Sequence, residues 1–125
     1  MQNLTRVRAP FAQNAVLSMG TDDDVRAPGA AITVALCGHW QHEPPCPLAP
    51  HHTAAKRMDD EVHLRTLFAV EAEREDEVRE RIASALAAGR LVGSDGKESC
   101  WQLRSTGPAP VRPEETDHVR RLAAT

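Results

Sequence analysis

EVHLRTLFAVEAEREDEVRERIASALAAG, residues 61–89, changes its apolar period part-way along, and that change decides the fold class. From Glu61 to Ala72 the period is two. Leu64, Thr66, Phe68 and Val70 share one face, while His63, Arg65, Leu67, Ala69 and Glu71 share the other. Alternation of this kind, rich in branched and aromatic residues, predicts a strand near 62–71. From Glu73 to Ala88 the period becomes 3.6. Val78, Ile82 and Leu86 recur at i, i+4 and i+8 with Ala85 beside them, the buried stripe of a helix over 74–88. Glu73, Glu75, Asp76 and Glu77 suit its positive N-terminal end. Glu75–Arg79 and Glu77–Arg81 are i, i+4 pairs in the favourable order, and Gly89 is a C-terminal stop.

Upstream, Ala31–Trp40 places Ile32, Val34, Leu36, Gly38 and Trp40 at even positions, with Thr33, Ala35, Cys37 and His39 at odd ones. This reads as a first strand with its even face toward the core. Pro44, Pro45, Pro47 and Pro50 then bar any helix or inner strand from 41–50, leaving a long, stiff loop rich in Pro and His between the first two strands. Downstream, Arg90–Val92, the Gly93–Gly96 turn and Glu98–Arg104 predict a short hairpin, with Trp101 and Leu103 on one face. Residues 1–30 show no apolar period and contain the breakers Asp22-Asp23-Asp24 and Ala27-Pro28-Gly29-Ala30. They read as a mostly disordered segment, within which Met19 offers an alternative start. An α+β domain is expected over 31–105, including a metal loop at 37–52. A Pro-rich tail with a short terminal helix (114–124) follows over 106–125.

The order strand, loop, strand, helix, strand predicts an α+β fold: a three- to four-stranded sheet with one long helix packed on one face. A split β-α-β sheet of ferredoxin-like architecture, lacking its first helix, fits that order. An analogy of architecture licenses no function.

A chain of 125 residues is one domain by length, and its only aromatic residues are Phe11, Phe68, Trp40 and Trp101. Its core is therefore thin, and small domains with thin cores depend on a disulfide, a metal or a second subunit. The net charge of −3 argues against a polyanion partner, so nucleic-acid binding is not expected. The longest apolar run, Gly29–Cys37, falls short of the roughly 20 residues that span a bilayer, and no membrane partner is expected. Gln13, Asn14 and Ser18 interrupt any signal sequence, which points to the cytoplasm, where Cys37, Cys46 and Cys100 stay reduced.

Four of the six histidines fall between His39 and His52, together with Cys46. Imidazole and thiolate are the ligands Zn²⁺ prefers, and they also suit copper and nickel. The expected ligands are His39, His42, Cys46 and His52, with Cys37 and His51 as substitutes. The prolines hold such a loop stiff, so the donors lose little entropy on binding. Prolines forbid the helix of the two-histidine zinc proteases, and Cys46 lacks the second cysteine of the deaminase pattern. Elsewhere, His63 and His118 read as solvated, Cys100 as a small buried or half-buried thiol and Glu71–Glu80 as a solvated helix face.

These residues point to a small cytoplasmic zinc-binding protein that presents its His/Cys loop to a protein partner, with copper or nickel as variants. Two alternatives differ in class. One is a metal-dependent enzyme with an open coordination position and Glu43 as general base. The other is a metal-free interaction or small-ligand-binding module, homodimeric so as to cover its sheet edges.

Overall fold

The computed structural model describes residues 7–37, 49–93 and 95–124. Their elements run β1 (Arg8–Ser18), α1 (Ala27–Cys37), β2 (His51–Met58), β3 (Glu61–Glu71), α2 (Glu75–Ala88), β4 (Arg90–Val92), β5 (Glu98–Cys100), β6 (Gln102–Ala109) and α3 (Thr116–Ala123). Short 3₁₀ turns, Ala72–Arg74 and Pro113–Glu115, lead into α2 and α3. The fold is α+β.

The 61–89 stretch forms β3 and α2 as its periods require. Val78, Ile82 and Leu86 are the buried residues of α2, and both expected ion pairs form, Arg79–Glu75 at 2.7 Å and Arg81–Glu77 at 3.5 Å. Gly89 ends the helix at φ 74°. A Cβ at Gly89 would sit 2.7 Å from the Trp101 carbonyl oxygen, so only glycine fits. Trp101 in turn donates its indole N–H to the Leu86 carbonyl at 2.8 Å, which satisfies the polar tip of a buried ring.

The main sheet is antiparallel, in the order β2-β3-β1-β6, and β4 with β5 forms a separate ribbon. Since β1 and β2 are both antiparallel to β3, they run parallel to each other, with α1 as their connection. In the same way β3 and β6 flank β1, with α2 between them in sequence. One sheet face carries Ala15, Leu17, Val62, Leu64, Phe68 and Val70 against Ile32 and Leu36 of α1 and Val78, Ile82 and Leu86 of α2. On the opposite face Val119 of α3 packs on Ala12 and Leu67, with Ala109 and Leu122 at the margin. The helices therefore cover both faces, rather than one helix covering one.

Two expectations are corrected. Residues 27–37 form α1 rather than a strand across 31–40. The buried residues Ala27, Pro28, Ala31, Ile32 and Leu36 recur at helical spacing, and alanine favours a helix where nothing forces extension. The segment 1–30 is not mostly disordered. β1 pairs with β3 over Arg8–Ser18 and with β6 over Ala12–Ser18, inside the sheet. Pro10 is tolerated because β6 does not reach it, so at that point β1 has no strand partner on that side among the described residues. Likewise 106–109 completes β6 instead of beginning a tail. The Pro/His-rich segment, expected as a loop between two strands, follows α1 and precedes β2 in sequence, and its residues 38–48 lie outside the described residues.

Arg65 fixes α3 to the sheet. Its guanidinium donates to both Glu115 carboxylate oxygens at 2.6 and 2.8 Å, to the Pro110 carbonyl at 2.6 Å and to Asn14 Oδ1 at 3.0 Å. The hydrogen bond from Arg65 pushes the Glu115 carboxyl from its ordinary 4.5 down to about 2, against the opposing effect of burial. A carboxyl depressed in the folded state stabilises fully above its unfolded pKa, and that contribution is lost as pH falls through the folded value. The docking of α3 is therefore expected to weaken between about pH 4.5 and 2. Glu115→Gln should cost roughly 1–2 kcal/mol at pH 7, discounted for the pair's partial exposure. It should also flatten the stability profile across that acid window. Urea midpoints at pH 7 and pH 3 check both, and equal losses at the two values would contradict the assignment.

Candidate functional site

His39, His42, Glu43 and Cys46 lie outside the described residues, as does the side chain of Cys37, whose backbone closes α1. The fold holds both ends of the donor-rich segment. Upstream lies the last turn of α1. Downstream, Ala49 is fully buried and the Pro50 carbonyl accepts the Ala69 N–H at 3.1 Å, extending the β2–β3 ladder by one bond. Thr33 Oγ1 lies 2.9 Å from His51 Nε2, so the helix and the strand are tied directly across the two ends.

The histidine pair is split by the strand. Successive side chains of β2 point to opposite faces of the sheet. His51 sits opposite Phe68 in register and shares its α1-facing side, whereas His52 sits opposite Leu67 and shares the α3-facing side. Neighbours in sequence, they leave the strand on opposite sides, although His52 also borders the groove that His51 lines.

His51 Nδ1 lies 3.1 Å from the Ala49 carbonyl. A carbonyl only accepts, so in the neutral ring Nδ1 carries the proton and Nε2 presents a lone pair, which accepts from the Thr33 hydroxyl. Metal-binding histidines are commonly oriented in this way, with one ring N–H donated to a backbone carbonyl and the other nitrogen directed at the ligand position. His51 also lines an open groove of about 360 Å³ along the α1–β2 edge, with Val25, Gly29, Thr33 and Thr53. The larger hollow, about 540 Å³, lies elsewhere, between Asp22–Asp24 and the β4–β5 ribbon. Its walls mix Asp95 and Glu98 with Arg26 and Lys97, with no histidine among its described lining residues.

His52 meets a residue expected to be solvated. Its ring centre lies 4.7 Å from that of His118 on α3, the planes inclined at 53°. Partial burial, and then the proximity of His118, lower the His52 pKa from its usual 6.5, so the ring is neutral at pH 7. Nothing in local spacing links positions 52 and 118. The sequence signal was indirect: Val119 and Leu122 mark the buried side of a terminal helix, and His118 lies next to it.

The other singled-out residues stay outside this region. His63 Nε2 lies 3.3 Å from Glu61 Oε1 on an exposed flank of β3. Cys100 is exposed rather than buried or half-buried. Among the described residues no three His, Cys, Asp or Glu side chains converge in a metal-binding group, and no helix is long and apolar enough to cross a membrane. Neither a family model nor a curated protein sequence matches the chain.

Proposed function

We propose that the chain is a transition-metal-binding protein, zinc being the favoured ion and copper or nickel its variants, whose His/Cys segment is closed by the metal and presented to a protein partner. One observation carries the reading. The two flanks of a segment holding His39, His42 and Cys46 are bound to each other through Thr33 and His51, so the donors hang from a pre-closed base. Closing a loop whose ends already meet costs little further chain entropy. The strand ligand that fits this base is His51 rather than His52, because its Nε2, now bonded to Thr33, lies on the α1-facing side of the sheet. Thr33 would yield its hydrogen bond to the ion, while the Ala49 carbonyl would go on orienting the ring. His39, His42, Cys46 and His51 make a four-donor set of the kind that structural zinc uses.

The strand order and the two strand-helix-strand connections support the split β-α-β, ferredoxin-like reading of the architecture. Within it the donor segment joins the first helix to the second strand. A metal-free dimeric module is the second reading, favoured by the outer edges of β2 and β6, which pair with no strand among the described residues.

Cobalt substitution tests the proposal. Co²⁺ added to the reduced chain is expected to give tetrahedral visible bands and a thiolate charge-transfer band at one equivalent. Cys46→Ser should abolish the charge-transfer band, and His42→Ala should weaken or abolish the visible bands. A featureless titration would favour the dimeric module.

A further inference from the structure

We infer that His52 and His118 form a second divalent-metal site on the opposite face of the sheet, independent of the donor segment, in which two imidazoles bind one zinc, nickel or copper ion across the β2–α3 seam. The geometry is suited to one shared ion. Two imidazoles bound through one nitrogen each, at bond lengths of about 2.0–2.1 Å, set their ring centres roughly 4.5 Å apart at a square-planar angle and about 5.2 Å apart at a tetrahedral one. The observed separation is 4.7 Å, with the rings tilted by 53° rather than stacked flat. Binding asks each ring to turn about its side-chain torsions until one nitrogen of each reaches a common point.

The donors are also placed in advance. His52 is held in a strand paired along its whole length with β3. His118 precedes Val119, which is buried against Ala12 and Leu67, and Leu67 is the register partner of His52. The Arg65–Glu115 bonds fix the start of α3. Ligands positioned by packing do not have to be ordered by the ion. His52 is only partly covered and His118 half-buried, so the remaining coordination positions face water. Two imidazoles with open positions make an exchangeable site, weaker than a closed four-donor one. By the general affinity order, copper should bind most tightly.

The test is a Zn²⁺ titration of the full chain, followed by the ring nitrogen resonances of isotope-labelled histidine. The His52 and His118 rings are expected to shift together and to saturate at one equivalent for this site. His118→Gln should weaken the response at His52 about ten- to a hundredfold, on the scale of losses seen when metal-site partners are removed. His52→Gln should do the same at His118, whichever of the two variants proves the more tractable. Because the donor segment is not involved, a Cys46→Ser and His42→Ala double variant should keep the paired response. Silence at His118 in a chain whose donor segment binds Zn²⁺ would overturn the inference and leave the proposed function standing. A His118 response that survives His52→Gln would also overturn it, showing a lone histidine. A paired response in a chain whose donor segment stays silent would uphold this site and remove the other.

Discussion

Deleting residues 1–18 is expected to abolish cooperative folding. β1 is the strand that holds the sheet together, pairing with β3 along its full length and with β6 over Ala12–Ser18. Its removal opens two ladders at once, and each backbone hydrogen bond is worth about 0.5–1.5 kcal/mol net. Ala12 and Leu17 are fully buried and belong to the two separate clusters on either side of the sheet, so both lose a wall. Burying a leucine contributes about 1.5–3 kcal/mol by itself. Arg79 would lose its bonds to the Ala12 carbonyl and Gln13 Oε1, at 2.8 and 2.6 Å, and the Phe11 ring beneath it. Together these losses exceed the roughly 5–15 kcal/mol by which a domain of this size is stable. A chain starting at Met19 should therefore show no sigmoidal thermal transition by circular dichroism. A cooperative melt within a few degrees of the full chain would mean that β1 is an accessory strand.

The second large effect concerns metal-linked stability. An unfolded chain offers no assembled set of four donors, so most of the free energy of binding at the His39–Cys46 segment and His51 should appear as folding free energy. At a hundredfold excess of free Zn²⁺ over its Kd the linkage term alone is about 2.7 kcal/mol. For a domain of roughly 100 residues this is a rise in Tm of about 10–20 °C. The gain should shrink as pH falls through the histidine range, near 6.5, because protons compete for the imidazole lone pairs. Cys46→Ser and His42→Ala should each remove the metal-dependent gain, whereas His118→Gln should leave most of it in place. Thermal melts at pH 7.5 and 5.5, with and without Zn²⁺, check these expectations together.

The legible parts of the fold were those where local pattern and tertiary demand agree. β3 has one face under α1 and α2 and the other partly under α3, and its alternation reports that directly. α2 carries a full apolar stripe, an acidic first turn and a glycine stop, each an independent sign of the same helix. The 27–37 segment is ambiguous in sequence because an apolar run of this length fits either period. Ile32, Val34 and Leu36 look like one face of a strand, while Pro28, Ile32 and Leu36 look like one stripe of a helix. The second pattern won because the segment packs on α2, a contact that no local rule contains. β1 was missed for a different reason. Its inward residues include Gln13 and two small alanines, and Gln13 is acceptable inside only because Arg79 and Thr106 satisfy it from distant elements.

The expectation of a donor segment rests on composition alone, the crowding of histidines and a cysteine among prolines between positions 37 and 52. How its histidines divide was not legible there. Placing His51 and His52 on opposite faces required knowing that β2 begins at His51 and pairs with β3 from its first residue. The partnership with His118 depends on α3 folding back across the sheet, which rests on Arg65, Glu115 and Val119 acting together.

The most direct measurement is the metal content of the full chain, purified without a histidine tag, under reducing conditions and after extensive dialysis. Elemental analysis beside native mass spectrometry is expected to find close to one tightly held zinc per chain, falling to near zero in Cys46→Ser and His42→Ala. The His118→Gln variant should keep that ion, since the weaker pair site empties on dialysis. A chain that carries no metal after purification, takes up none when Zn²⁺ is supplied at equimolar concentration, and melts identically with and without chelator would contradict the metal-binding function.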